Sequence, residues 1–590
     1  MITSIIDAPY NPITSPYWVP LNTVYDPMVY VIDSTTKSRG NYKFLFDVYS
    51  SGIFRTRIKQ NPDFNSSYGV GDIHRILENY VSPDFNYNLA GLIPTANSYE
   101  RYQMKFGESY SRRNRFISTS NNSGLLQLTF SAPHNLRVSD GVYIDKDDKT
   151  VNSIYDGYHL VGYIVDAYNV QLAFGYGSVS ANESGYVTET EHFIDNFYTT
   201  IGNNAYVGFI VNQSTNPTQI NVGDTVIVYQ YPTPTNPDYD GEWTVLQVDS
   251  VVVTGTTYDR IVINYPFQLA TGAEPAYIFA LNDYVFSGQV IDDYAFAFNG
   301  ALTYEDYLSW NASQWVPFGS TSHFLTNAPK TQKIKIDEYA TLSFFNGNYL
   351  GGLNGDYVRI ATYNKNGTFI QFYDIINPFN NSTNEDEQRA DVGIGPVNLS
   401  NLTSFDVYAT GTTFPPNFNN IGSYTVNLGD SGSVAPYSET ITFIIDDNCC
   451  LYDEFRFAWL NRKGGFDYFT FTQRSDKKST TTKDMFDKKL GRITSGDWNY
   501  SIGDRGSTIF NVNSRDSYVV NSNWLTQAEA TWLNELMSSP EVYWIKKTDN
   551  KAYPIIVTNQ EYIEGNENND FLFMVTITFE MSFSSSIQRG

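Results

Sequence analysis

The chain has 590 residues, a formal net charge of −25, 16% aromatic but only 17% charged residues, and 2 cysteines. Its length is enough for several domains with cores of their own, and its acidic balance argues against a nucleic-acid binder that works by neutralising phosphates. The cysteines are the adjacent pair Cys449-Cys450, whose Cα atoms lie only about 3.8 Å apart, so a disulfide framework is excluded and folding in a reducing cytosol is expected.

The first residues, Met1 to Asp7, show no basic stretch followed by an apolar one, so no secretory or transit segment is expected. No apolar run approaches the roughly 18 residues that span a bilayer, and no membrane partner is expected. Asp72–Tyr80 places Ile73, Ile76, Leu77 and Tyr80 at spacings of three and four, which predicts a short amphipathic helix closed by Ser82-Pro83. Asn121-Asn122-Ser123-Gly124 reads as a linker.

A duplicated block follows. Asp140, Val142, Tyr155-Asp156-Gly157, Val161 and Ile164 return as Asp224, Val226, Tyr239-Asp240-Gly241, Val245 and Val248, each displaced by 84 (224−140, 239−155). What repeats is strand and turn residues, so the block is a folding module used twice. Strands are expected at 125–131, 141–145, 225–230 and 260–265, rich in β-branched and aromatic residues. Residues 213–218 and 271–275 bound the second copy.

Further on, Tyr304–Trp310 is a weaker helix candidate, while residues 380–388 and 411–420 read as exposed loops. Ser475–Lys489 is polar and basic and would project as a long hairpin or arm. Gln527–Ser538 is the clearest helix: Thr526 caps it, Glu529 completes a capping box, Trp532, Leu533, Leu536 and Met537 form its buried stripe, and Pro540 stops it. Phe571–Phe583 passes from a continuous apolar run into alternation, as a strand buried on both faces at one end would. The fold class is therefore mainly β and multidomain, with β-sandwich or β-barrel modules, a few short helices and two tandem repeat modules. The expected parts are 1–120, 121–212 and 213–270 for the repeats, 271–450, and 451–590 packing with 1–120.

Chemistry-bearing patterns are sparse. The 5 histidines, His74, His134, His159, His192 and His323, have no ligand spacing. Asp145-Lys146-Asp147-Asp148 lacks the glycine and distal glutamate of a calcium loop. Gly429-Asp430-Ser431-Gly432-Ser433 is no nucleophile elbow, and Gly351-Gly352-Leu353-Asn354-Gly355 has no Lys-Ser/Thr and opens no helix, so it is no phosphate loop. The carboxylates of Asp446-Asp447 and Glu385-Asp386-Glu387 read as solvated surface. No catalytic residue, metal or cofactor is expected. The basic exceptions are Arg112, Arg113 and Arg115, and Lys477, Lys478, Lys488 and Lys489, which are candidate contacts for an acidic neighbour. A neutral, aromatic-rich surface suits large, wet, permanent interfaces. An acidic wall keeps a passing duplex from sticking within a Debye length of about 8–10 Å.

Several segments resemble virion proteins of phages infecting Bacteroidetes-type hosts, including crAss-like phages. They are His134-Asn135-Leu136 with Asp140, Val142 and Tyr155–Val161; Asp72–Tyr80; Lys105-Phe106-Gly107-Glu108; and Phe457–Phe471 with its Trp459-Leu460-Asn461 start. The closing Trp524-Leu525-Thr526, Ser539-Pro540 and Tyr553-Pro554-Ile555 complete the set. The second copy carries Gln219-Ile220-Asn221 where the first has His134, so no role for that histidine is implied. The resemblance implies a tail structural protein, a ring or hub subunit of a short-tailed phage. It would be made in the host cytoplasm and assembled in the virion as six or twelve copies around the DNA channel, beside other tail proteins and with no cofactor. The rival is a tail spike or adhesin that binds or cleaves host-surface polysaccharide.

Overall fold

Strands carry most of the computed structural model, which describes residues 2–9, 21–35, 37, 42–110, 113–134, 136–147, 155–176, 183–189, 192–199, 206–212, 220, 222–230, 241–253, 256–266, 276–280, 294–309, 314–317, 322–346, 355–380, 388–403, 407–409, 415–430, 435–447, 451–504, 506–559, 573–583 and 585–586. The protein is mainly β, with several sheets, two closed barrels and a few short helices. No described helix is long and apolar enough to cross a membrane. The chain divides into two units, one made of Met1–Ala8, Val29–Asp72 and Gln103–Asp293, the other of Pro9–Met28, Ile73–Tyr102 and Tyr294–Gly590.

The first unit holds the duplicated modules, and each is a closed six-stranded barrel. The first barrel runs from Arg113–Asn122 to Gly185–Glu189, the second from His192–Thr199 to Ala276–Ala280. Taken in chain order within each barrel, the strands are joined in the same circular order, 1-2-5-4-3-6. The repeated residues explain the match. Gly141–Lys146 pairs with Gly157–Ile164 through Tyr143↔Tyr158 and Ile144↔Gly157. Their counterparts are Ile227↔Glu242 and Val228↔Gly241. Gly157 and Gly241, the last residues of the two Tyr-Asp-Gly triplets, hold φ of 115° and 138°, which only glycine adopts cheaply. The Val161 and Val245 amides donate to the Asp140 and Asp224 carbonyls, both at 2.9 Å. Leu126, Leu128, Val142, Ile144, Val161, Val170 and Leu172 fill the first barrel, each contributing about 1.5–3 kcal/mol on burial.

The barrel limits differ from the expected 121–212 and 213–270. Asn121 to Gly124 is a hairpin turn, in which Ser123 and Gly124 take φ of 59° and 88° and Leu125 pairs with Asn122. A turn inside a barrel and a linker outside it use the same residues, because both need αL-tolerant positions. Residues 213–218 and 271–275 lie outside the described residues, and Ala276–Ala280 closes the second barrel beyond them.

The second unit is built on two larger sheets. One has six strands, including Tyr357–Asn364, Phe369–Ile376 and Ile421–Gly429; the other has eight, including Phe455–Leu460, Phe466–Phe471, Val542–Lys546, Lys551–Val557, Thr576–Met581 and Ser507–Asn521. One core extends from Phe324 to Ile545, so no boundary falls near 450. Residues 1–120 are likewise shared between both units. Phe455–Leu460 is the strand buried on both faces. Ala458 joins the core that spans both sheets, while Phe455, Phe457 and Trp459 join a second core under the helix Gln527–Ser538. That helix has the expected capping box, and it buries Ala530, Trp532, Leu533 and Leu536.

Several expectations shift. The helix at 72–80 is a single α turn at His74–Leu77 followed by a 3-10 turn at Glu78–Tyr80, with no side-chain cap at Ile73. The helix at 304 ends at Leu308. Thr576–Met581 alternates as expected, with Ile577 and Phe579 buried, but in the described part of the preceding apolar run Met574 is 57% exposed beside buried Val575, so that part is not buried on both faces; Phe571 and Leu572 lie outside the described residues. Gln388 and Phe418, expected in exposed loops, are buried. Cys449-Cys450, Glu385 to Glu387, 351–354 and 431–433 lie outside the described residues.

Candidate assembly interface

The basic segment at 475–489 is one strand of a long ribbon. Asp476–Asp487 pairs residue by residue with Ser507–Asn521, from Asp476↔Val519 at the root to Asp487↔Ser507 at the far end. At about 3.3 Å per residue its 12 residues reach roughly 40 Å. Only the root is built into the sheet, where Ser517 to Asn521 also pair with Thr576–Met581, and Asn513 and Ser514 pair with Ser585-Ser586. Beyond Asn513 the ribbon has its two strands alone among the described residues. All twelve residues of Asp476–Asp487 are exposed.

Polar threonine, serine and aspartate side chains explain why this strand leaves the core. Cross-strand pairs support it instead. The Lys477 ammonium lies 2.6 Å from Asp516 and 5.4 Å from the centre of the Tyr518 ring. Ser479 also donates to Asp516. The Lys477 and Ser479 hydrogen bonds hold the Asp516 carboxyl below its ordinary range, and the same bond to Asp516 raises Lys477. Asn511 donates to Asp484 at 2.9 Å, and the rings of Phe486 and Phe510 approach to 6.1 Å.

The far end carries a second, smaller hairpin, Arg492–Thr494 against Asp497–Asn499, turning on Ser495 and Gly496 at φ 55° and 92°. Two successive positive φ values are the mark of the turns that match strand twist. This end is apolar on its surface: Ile502 is fully exposed, Tyr500 is 74% and Ile493 71% exposed, and Leu490, Met485 and Phe510 are each more than half exposed.

At the root lies a groove of ≈ 310 Å³ lined by Lys477, Asp516, Tyr518, Trp544, Tyr553 and Met581 among others. Trp544 is buried, stacked on Phe455 at 5.0 Å, and its Nε1 has no hydrogen-bond partner among the described residues.

The seven candidate cations separate. Arg112 lies outside the described residues; Arg113 is described in its backbone alone, which pairs with Thr188. Arg115 is committed within the first barrel, 2.8 Å from Asp147 and donating to the Tyr186 hydroxyl at 2.9 Å. Lys477, Lys478, Lys488 and Lys489 all lie on the arm. The two lysine pairs stand at opposite ends of it, roughly 35 Å apart along the strand, and form no single patch. Lys477 is engaged by Asp516, whereas Lys478, Lys488 and Lys489 are exposed and make no ion pair among the described residues. Sequence reasoning passed over the apolar tip. Its signal was present: Leu490, Ile493, Trp498, Tyr500 and Ile502 stand singly among Gly, Ser, Asp and Arg, with no periodicity to place them in a core.

The acids with raised pKa lie elsewhere. Asp467 is buried, and burial together with the charge of Glu535 lifts its carboxyl to about 7. Against that, Thr326 Oγ1, Asn461 Nδ2 and Trp532 Nε1 donate to it at 2.6, 2.8 and 2.7 Å. Burial also raises Glu535, which accepts from Asn327 Nδ2 at 2.6 Å. These bonds tie the 325–327 segment, the 461–465 turn and the capped helix together. The cavity beside Asp467 measures ≈ 10 Å³, room for about one water and no sugar. Among the described residues no cluster of His, Cys, Asp or Glu could hold a metal ion.

No protein-family model matches the chain, and no curated protein matches it. Among solved structures, the chain is aligned with the phage phi92 endosialidase over 97% of its own length and 90% of that protein's, at 11% identity and a TM-score of 0.13, a likeness too slight to carry an argument about fold or activity.

Proposed function

We propose that the chain is a structural subunit of a phage tail, a ring or hub protein that assembles with copies of itself around the DNA channel and connects neighbouring tail components. The observation that carries this reading is the arm: a ribbon whose strand Asp476–Asp487, roughly 40 Å long, is exposed throughout, whose two strands run alone beyond Asn513 among the described residues, and which ends in an apolar tip. Ordering such a ribbon costs conformational entropy that few contacts of its own chain offset, and an assembly partner supplies the missing contacts. The acidic balance suits a wall past which DNA moves without binding, and the resemblance of Phe457–Phe471 and the duplicated block to crAss-like virion proteins supplies the tail context. In this reading the protein needs no cofactor and does no chemistry. Light scattering coupled to size exclusion on the full chain tests it: a closed multiple of 66.8 kDa, ring-shaped by electron microscopy, is expected, and a 66.8 kDa monomer at every concentration overturns it.

The second reading, a spike or adhesin for host-surface polysaccharide, is favoured by the root groove, where Tyr518, Trp544 and Tyr553 lie beside Asp516 and Lys477. Aromatic faces beside polar groups suit sugars. Of the residues lining that groove only Asp516 is acidic, and it is held in its ionised form, whereas glycoside hydrolysis needs two carboxyl groups about 5–10 Å apart. Binding without cleavage is thus the form of this reading the groove fits, and release of reducing ends from purified host polysaccharide would refute that restriction.

A further inference from the structure

We infer that the outer edge of the arm, Asp476–Asp487, pairs antiparallel with the same strand of a second copy about a two-fold axis at Thr482, so that two ribbons join into one four-stranded sheet. Copies in a ring meet head to tail. Here one strand serves both sides, so the contact joins two free copies or two whole rings and goes beyond the assembly reading.

Asp476–Asp487 is the last strand of its eight-stranded sheet and pairs only with Ser507–Asn521 among the described residues. In an antiparallel ladder every second residue then turns its N–H and C=O away from the partner strand, which leaves a row of open backbone groups along 12 residues. Long edges are usually blunted by a bulge or a proline. This one has no proline, and the register shift at Asp484 and Met485 places its extra residue, Phe510, on the inner strand. Beyond Asn513 the ribbon has two strands alone, and a two-stranded hairpin is marginal in water whereas more strands side by side hold. A backbone edge is completed by another strand, which a lipid surface cannot supply.

The order of charges selects the partner strand and its direction. Asp476–Asp487 holds three Lys and three Asp, with Lys477 and Lys478 near one end and Asp484 and Asp487 near the other. Parallel pairing in register would set every charge against its like. Antiparallel pairing with Thr482 opposite Thr482 sets Lys477 against Asp487 and Asp476 against Lys488, each twice, and no like charges face one another. The ladder still reaches Lys488, whose amide donates to the Gly506 carbonyl at 2.7 Å. Centring on Thr481 instead keeps only the Lys478 to Asp484 pairs and brings Arg474 against Lys488, and centring on Lys483 sets that lysine against itself. Lys477 can serve Asp487 as well as Asp516, since an ammonium has three donors. The antiparallel sense also holds the two acidic bodies roughly 40 Å apart, against a screening length of about 8–10 Å, so their repulsion does not oppose the pairing.

The test places single cysteines in the full chain with Cys449 and Cys450 replaced by serine. Directly opposed residues stand about 4.5–5.5 Å apart at Cα, within disulfide reach. Under mild oxidation Thr482→Cys should therefore run at twice 66.8 kDa on a denaturing gel. Thr480→Cys, whose counterpart lies about 13 Å away along the edge, should stay at 66.8 kDa. Lys488→Asp, which sets two carboxylates against each other, should weaken association about tenfold by light scattering, and adding Asp476→Lys should restore it. Absence of the link at Thr482, or an equal link at Thr480, overturns the inference, and a ring that forms regardless leaves the assembly reading standing. A two-copy particle linked at Thr482 with no ring supports the inference and overturns the ring.

Discussion

Asp467 is a fully enclosed acid of the second unit whose protonation bears on stability. Burial, reinforced by Glu535, raises its carboxyl to about 7, while burial raises Asp391 to about 6 against the opposing charge of Arg389. An unfolded aspartate titrates near 3.9, so from about pH 4 to about pH 7 the folded state binds protons that the unfolded state has released. Stability should therefore fall as pH rises through that window and level off above it. Urea midpoints measured across it should show this slope, and Asp467→Asn should reduce it. The same substitution should cost about 1–3 kcal/mol, because an amide cannot accept from Thr326, Asn461 and Trp532 together and leaves a buried donor unmatched. A slope unchanged by Asp467→Asn would assign the titration elsewhere. Nearby, Gly464 holds φ 82°, and an added Cβ would stand 1.6 Å from the Asn299 carbonyl oxygen. Gly464→Ala should cost more than about 4 kcal/mol in the same assay. Gly496→Ala, at φ 92° with nothing within 4 Å, should cost only the backbone strain of about 1–2 kcal/mol.

Elements show where the sequence was legible and where it was not. The helix Gln527–Ser538 was readable to the residue because its signals are local: Thr526 accepts from the Glu529 amide and the Glu529 side chain returns to the Thr526 amide. Thr526→Ala should cost about 0.5–2 kcal/mol by chemical denaturation, and an unaffected midpoint would mean that packing alone holds the helix. The duplicated strands were readable because shared residues, Val142 and Val226 and the glycines Gly157 and Gly241, accompany the same register, Ile144↔Gly157 and Val228↔Gly241. The barrels' outer strands were not. Arg113–Asn122 precedes the repeated block, and its pairing with Gly185–Glu189 spans about seventy residues of sequence, a closure that no local pattern encodes. The arm was legible as an arm from its threonines and lysines. Its apolar tip was not, since Ile493 and Ile502 resemble ordinary scattered surface apolar residues until the ribbon lifts them clear of the cores among the described residues.

For the whole molecule, the separation of cores implies separable stability. The first barrel's core is confined to residues between Phe116 and Val187, while the cores of the second unit draw on Leu21, Tyr99 and Phe296 as well as on residues from Phe324 to Phe579. Units with their own cores unfold as their own cooperative blocks unless an interface makes them one. Leu128 and Leu533 are both fully buried, one in each unit. Truncating either to alanine should cost about 2–5 kcal/mol through lost transfer energy and the cavity left behind. Scanning calorimetry of the full chain is expected to resolve more than one transition. Leu128→Ala should lower one of them and leave the other in place, with Leu533→Ala doing the reverse. Midpoints that fall together for both variants would show one cooperative body. The pair would then behave as a single rigid subunit, and an arm contact made by the second unit would stabilise the barrels of the first by the same mass-action term as its own sheets. If the transitions stay separate, assembly through the arm should raise only the transition that Leu533→Ala lowers, so the same scans on a chain in which residues 484–511 are replaced by Asn-Gly, a two-residue turn between the paired Lys483 and Val512, identify which unit the contact stabilises.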